Sequence, residues 1–498
     1  MRNEEKINNI DLEYILNQLK IHTPYGKDCL KNLKPYRIKE LSSLKVALDD
    51  LGKVMKSLST APQSYHNMIQ EFSRIKDIRG SIKRCKNRGI LDDIELFEIK
   101  RFAIYGEEIR KNYEGLGISI EGVNFNNLEE VIDLLDPEGQ NLATFSIYDA
   151  YSDHLKEVRE KKRLVEKLIY QETNLNKLDK LEDLKNERLK WIEEENCLEN
   201  EIREKLSFKL LAYLEKIEKN INSLGILDFT IAKAKLALGK GCTKPQFNGD
   251  LHLVMEEGRH PYLEDLLEGQ NRKFTKVSIR LLKGCNVITG PNMGGKSVTL
   301  KTLGINVLLA HMGFYVFADR LELPIFNFIH LLANDYESLR GGLSTFGGEI
   351  VKINDYIKDI KMSSGLLLVD EFASGTNPHE GRLLVKAVMD YLKGFKTISV
   401  FITHFDGVVE DDINHYQVIG LKHVDFKGLM NGHHLDSTLR LKIIQELMDY
   451  RLEPVKKDKK VPIDALNIAT LLGLESEIIN IAKSYYDKEV QFYGEETE

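Results

Sequence analysis

The residues Gly290-Pro291-Asn292-Met293-Gly294-Gly295-Lys296-Ser297 have the spacing G-x-x-x-x-G-K-S, after the apolar run Val287–Thr289 and before a helical pattern. In that context the spacing predicts a phosphate-binding loop. Gly294 and Gly295 would let backbone N–H groups turn toward phosphate oxygens at the positive end of the following helix. Lys296 would set a charge between the β- and γ-phosphates, and Ser297 would offer its hydroxyl to Mg²⁺. The expected ligands are ATP and Mg²⁺.

Two further runs carry chemistry. GLLLVDE, Gly365–Glu371, is an apolar strand ending in two acids, at the strand tip where ligands sit on an open α/β sheet. Asp370 is expected in the Mg²⁺ shell, with Glu371 orienting the attacking water or taking its proton. VFITHF, Val400–Phe405, is a strand ending in Thr403-His404. The interval from Glu371 fits one helix and a returning strand, which sets His404 against the γ-phosphate. The loops LSTFGGEI (Leu343–Ile350) and ASGTNPHEG (Ala373–Gly381) are rich in small residues near the same edge.

The elements that must position these residues follow from periodicity. After Lys240, short apolar runs alternate with glycine-containing turns and helical patterns, the signature of a mostly parallel sheet. The preceding half reads as helix: apolar residues recur at threes and fours from Ile38 to about Lys111, and Pro137 in LDPEGQNLATF marks a small non-helical excursion. From Ser152 to about Asn222 runs a dense, charge-balanced helical stretch with apolar pairs at Leu155 and Val158, Leu164 and Leu168, and Leu178, Leu181 and Leu184. It suits a two-helix arm. The expected class is a multidomain α plus α/β chain. A helical region, 1–245, with its coiled arm at about 152–222, precedes a P-loop domain, 246–455. A Lys/Asp linker then leads to a short helical segment, 456–498.

Composition narrows the partners. The net charge is -7, so no overall basic field holds a polyanion. The five cysteines are scattered without a C-x-x-C, which reads as reduced thiols in a cytoplasmic protein. The polar start, MRNEEKINNIDLEY, does not read as a secretory signal, and no apolar run is long enough to span a membrane. His433-His434 read as a turn rather than a metal site.

GPNMGGKS, STFGGE, LLLVDE, SGTNPHEG and THF occur in the order and spacing of the MutS ATPase domain, a branch of the ABC ATPases, which this chain resembles from EGRHPYLED (Glu257–Asp265) onward. LGILDFTIAKAKLAL (Leu224–Leu238) is similar to the family's helix that re-enters the core before the ATPase. MDYRLEPV and ALNIATLLGLESEIINIAK resemble its C-terminal dimerising segment. The resemblance implies a helical lever and clamp, an ABC-type ATPase domain and a dimer, homo- or heteromeric, with composite nucleotide sites. Ser344 of one subunit would reach the γ-phosphate held by the other, and Phe274 would lie against adenine.

Departures shape the functional expectation. No F-x-E motif, which mismatch-reading members use, occurs in the chain, and STFGGEI replaces the usual STFMVEM. The GTNPHEG loop is similar to that of the nuclease-tailed MutS relatives, yet nothing after Glu498 could be their nuclease domain. The trimmed layout resembles the MutS-like ATPase subunit of the lysine 5,6-aminomutase reactivase. That likeness implies a protein client, an adenosylcobalamin-dependent aminomutase, remodelled by ATP-driven closure. Asp250-Leu251-His252-Leu253-Val254-Met255 lacks the glycine of a cobalamin D-x-H-x-x-G and reads as a strand. The alternative is a clamp on mismatched or branched DNA, disfavoured here by the acidic balance and the charge-neutral arm.

Overall fold

The computed structural model describes residues 11–140, 146–174, 178–291, 294–333, 345–405, 407–410, 412–421, 446–455 and 464–495. It divides into two compact units. One comprises Lys20–Leu33 and Asp49–Lys235; the other comprises Met1–Leu19, Lys34–Leu48 and Leu236–Glu498.

The first unit contains helices and connecting loops, and no strand, among its described residues. Helices Pro62–Arg74, Arg79–Lys86, Asp93–Gly115 and Glu129–Leu135 bury an apolar face that includes Met68, Phe72, Ile99 and Phe102. The long helix Asp93–Gly115 starts at a capping box, in which Asp92 accepts from the Glu95 N–H and the Glu95 carboxylate accepts from the Asp92 N–H. Glu129–Leu135 stops before Pro137, and the described part of the excursion ends in buried Ile147 and Tyr148; residues 141–145 lie outside the described set. One polar knot closes this unit. The buried Asp228 carboxylate, on the helix Leu214–Gly239, accepts from the N–H groups of His22 and Thr23 and from the Thr23 hydroxyl, the last two at 2.7 Å. Thr23 in turn caps the helix Pro24–Lys31 by accepting from the Gly26 N–H.

The charged stretch forms two helices, Asp153–Asn174 and Leu178–Leu210. Their ion pairs give the direction. Arg159 meets Glu195 and Glu199, whereas the later Glu166 meets the earlier Arg188, so the helices run antiparallel. The seam differs in part from the expected one. Leu155 and Val158 are buried, but Val165 continues the stripe, while Leu164 and Leu168 are 59% and 46% exposed. Leu164 lies one residue, about 100°, off the line through Val158 and Val165.

The second unit carries two sheets. Its strands are β1 (Gln246–Asn248), β2 (His252–Gly258), β3 (Val277–Leu282), β4 (Gly284–Thr289), β5 (Arg320–Pro324), β6 (Phe328–Leu332), β7 (Gly365–Asp370), β8 (Thr397–Ile402), β9 (Asn414–Gly420) and β10 (Asp449–Pro454). A four-stranded sheet has the order β1-β5-β2-β3, and a six-stranded sheet the order β10-β9-β4-β8-β7-β6. In the larger sheet β9, β4, β8, β7 and β6 are parallel, and β10 closes one edge antiparallel to β9. Strands β7 and β8 are buried almost throughout, as expected for a parallel sheet covered on both faces.

The helix Lys296–His311 packs on this sheet and ends in a fully buried imidazole. His311 Nδ1 lies 2.8 Å from the Val307 carbonyl, and Nε2 accepts from the Phe326 N–H at 2.8 Å, so the neutral ring with its proton on Nδ1 satisfies both. Its carbonyl accepts from the Tyr36 N–H at 2.7 Å.

Asp228→Ala strands the buried N–H and hydroxyl of Thr23 and the part-buried N–H of His22, and is expected to destabilise the helical unit by about 3 kcal/mol in denaturant unfolding, with Asp228→Asn less severe. Burial lowers the His311 pKa to about 4, and His260 to about 4 for the same reason. Below pH 6.5 the unfolded chain takes up protons that the folded chain refuses, so stability falls as pH drops from 6.5 to about 4 and then levels. His311 alone contributes on the order of 3 kcal/mol to that loss. His311→Leu should be less stable at pH 7 yet show a shallower decline, read as denaturant midpoint against pH.

Candidate nucleotide site

The parallel register assembles the site. Ile288 of β4 lies beside Ile402 of β8, which lies beside Asp370 of β7. Two strand spacings therefore separate the loop after β4 from Asp370, roughly 10 Å. One residue further along, the Glu371 N–H donates to the Ile402 carbonyl and the Thr403 N–H to the Ile288 carbonyl. All three chemistry-bearing runs thus end at one sheet edge.

The loop Gly290–Ser297 turns there into the helix Lys296–His311. Gly290 has φ +145°, and a Cβ on it would meet the Val418 Cβ at 2.9 Å; Gly295, the helix N-cap, has φ +77°, and a Cβ there would meet the Tyr450 ring at 2.9 Å. Both positions require glycine. Lys296 is 5% exposed, and its Nζ donates to the carbonyls of Gly290 (2.9 Å) and Pro291 (3.0 Å). Burial pushes its ammonium below the ordinary lysine value, against the opposing charges of Glu371 and Asp370. Asp370 is pushed up, first by burial and further by the Glu371 charge, while a hydrogen bond with Ser297 acts the other way. Its Oδ1 is buried with no hydrogen-bond partner among the described residues.

Glu371 and Ala373 both adopt left-handed backbone, φ +50° and +62°, with the buried Phe372 between them. Non-glycine residues rarely do so without surrounding constraint. His404 is exposed on the loop after β8, its ring 4.7 Å from that of Phe405, and the Phe405 N–H is held by the Thr403 hydroxyl. Phe274 is half-buried in the segment leading to β3. Two residues earlier, the Arg272 charge acts on the Tyr450 phenol, countering part of the upward push of burial. Asn292, Met293, Ser344 and the His433-His434 pair lie outside the described residues.

Three residues at this edge were not picked out by motif. His415 on β9 lies 2.7 Å from the Thr289 hydroxyl at the root of the loop, and burial lowers its pKa. Tyr450 on β10 packs against Gly295 and also joins Leu421, Met448 and Ile468 in an apolar cluster. Glu349, 6% exposed on the helix Thr345–Met362, accepts from the Ala373 N–H at 2.8 Å. Tyr450 and Glu349 lie within quoted motifs, MDYRLEPV and STFGGEI, but only the fold gives them a role. Among the described residues no group of three His, Cys, Asp or Glu side chains could hold a metal by itself, and no helix is long and apolar enough to cross a membrane.

Comparison with known proteins agrees with this geometry. Residues 286–488 match the family MutS domain V. An endonuclease MutS2 of Bacillus mycoides is 28% identical over 477 residues, covering 82% of this chain and 58% of the relative. One of Acetivibrio thermocellus is 34% identical over 205 residues, covering 40% of this chain and 25% of the relative. One of Bacillus cytotoxicus is 26% identical over 553 residues, covering 97% of this chain and 65% of the relative. The chain thus spans less than two thirds of the length of each. The match to MutS domain V takes in the part of the chain that carries Lys296, Asp370, Glu371 and His404.

Proposed function

We propose that the chain binds and hydrolyses ATP at the edge formed by β4, β8 and β7, as one half of a dimer with composite nucleotide sites. The observation that carries this reading is the buried Lys296 ammonium, held by two loop carbonyls within the fields of Asp370 and Glu371. Ser297 and Asp370 fit a magnesium ion, since the buried Asp370 Oδ1 has no hydrogen-bond partner among the described residues and the Ser297 hydroxyl lies on the same carboxyl. When bound, the ion offsets phosphate charge. Lys296 exchanges its loop carbonyls for phosphate oxygens, Glu371 takes a proton from the attacking water, and His404 contacts the γ-phosphate. Phe274 serves the adenine, and Ser344 reaches across to the partner's nucleotide, both supported by the family resemblance.

The name of the relatives, endonuclease, supports nucleic acid as the partner on which closure acts, most simply a branched or mismatched DNA. A second reading, a protein client of the adenosylcobalamin-dependent aminomutase kind, is favoured by the arm. Its helices hold thirteen Lys and Arg against fifteen Asp and Glu. Arg159, Lys162, Arg188 and Arg203 are committed to carboxylates and unavailable to phosphates.

Lys296→Ala is expected to abolish turnover and weaken nucleotide binding. Glu371→Gln should keep affinity and slow hydrolysis by roughly 10²- to 10⁴-fold, with turnover and affinity measured separately. Normal hydrolysis by Glu371→Gln removes that residue as the base. The partner is decided by ATP turnover with homoduplex, mismatched and branched DNA across a salt series, and with inactivated aminomutase plus fresh cobalamin. A DNA clamp predicts structure-selective stimulation, with binding falling by about 0.9 log units per log salt for each phosphate contact. Rescue of mutase activity that requires ATP and Lys296, without DNA stimulation, establishes the protein client.

A further inference from the structure

The catalytic loop is held from outside the sheet. The Glu371 N–H is spent on the Ile402 carbonyl, its carbonyl accepts from the Ser374 N–H at 3.2 Å, and Phe372 is sunk in the core beside Val369 and Val385. Ala373, also left-handed, donates its N–H to the Glu349 carboxylate at 2.8 Å. Glu349 stands on a firmly docked helix: Ile353, Tyr356 and Ile360 are buried in the same core, and the Tyr356 hydroxyl donates to the Leu331 carbonyl at the end of β6. Burial pushes the carboxyl up, while the Ala373 N–H and the Lys352 charge pull it down. On its other side the Ala373 carbonyl lies so close to Gly381 that a Cβ there would come within 2.8 Å of it.

We propose that Glu349 is a positioning residue for hydrolysis: by accepting the Ala373 N–H it locks the left-handed Glu371–Ala373 turn and thereby aims the Glu371 carboxylate at the attacking water. The inference rests on the reading of Glu371 as the base. In this role Glu349 acts through the loop, by its hydrogen bond with the Ala373 N–H. The helix that carries it starts at Thr345, and both this hydrogen bond and the shared apolar core couple it to the loop that bears Glu371.

The test uses the full chain with Mg²⁺ and ATP. Glu349→Met keeps bulk and loses the acceptor, whereas Glu349→Gln keeps an acceptor oxygen. The expected result is a fall in kcat of about tenfold to a hundredfold for Glu349→Met, with ATP affinity and KM within about threefold, and substantial retention in Glu349→Gln. In a Glu371→Gln background, Glu349→Met should cost little more, because the aimed group is already gone. Should Glu349→Met fail to fold, Glu349→Asp, with its carboxylate one methylene short, carries the same expectation. A folded acceptor-less variant with wild-type kcat overturns the proposal, as does equal loss in the Gln and Met variants. Failure of the underlying reading looks different: Glu371→Gln itself would then hydrolyse ATP normally.

Discussion

An ammonium with almost no access to water needs compensation from every direction, and Lys296 imposes that need on the unit that carries the two sheets. Two backbone carbonyls of its own loop accept its protons, and two carboxyl groups from a strand two places away supply opposing charge. That arrangement exists only if β4, β8 and β7 run parallel in the register that sets Ile288, Ile402 and Asp370 side by side. The loop can double back over the side chain only because Gly290 and Gly295 accept backbone angles closed to other residues.

The same edge is braced from below. Asn286, fully buried in β4, donates to the carbonyls of Leu282 and Ser399 and accepts from the Leu282 N–H and from Asn414. Asn414 also donates to the Arg280 carbonyl, and the Tyr416 hydroxyl both accepts from the Arg280 N–H and donates to the Arg280 carbonyl. These contacts tie β3 of the smaller sheet to β4 and β9 of the larger. The segment that carries Arg272 and Phe274 is thus continuous with a strand pinned at the root of the phosphate loop.

Much of this was legible because its causes are local. The glycine-bearing turn after β4, the acid-tipped strand and the βα alternation each follow from neighbouring residues, as do the two helices of the arm. What was not legible depends on distant partners. Leu164 and Leu168 look like seam residues by spacing, yet Arg159 and Lys162 bring their carboxylates to the interface and the stripe continues through Val165 instead. Glu349 is one acid among many until the fold sets it against Ala373. His415 and Tyr450 reach the loop from strands far along the chain, with no spacing to announce them. The apolar seat of Leu44 and Leu48 against Ile325 is equally invisible to periodicity, which reports that a face is buried but not by what.

That seat has a consequence for synthesis. Tyr14 donates to Asp265, Tyr36 to the His311 carbonyl, and Leu44 and Leu48 cover Ile325, so residues 11–19 and 34–48 finish a unit whose contacting parts are made more than two hundred residues later. At ribosomal speeds the wait is roughly fifteen seconds to a minute. During it the helical unit can form from residues already emerged, whereas Leu44 and Leu48 stay without cover. The nascent chain therefore passes through an intermediate with an exposed apolar segment near its start, a natural station for a holding chaperone. A fragment cut to begin at the first strand would lack that cover permanently.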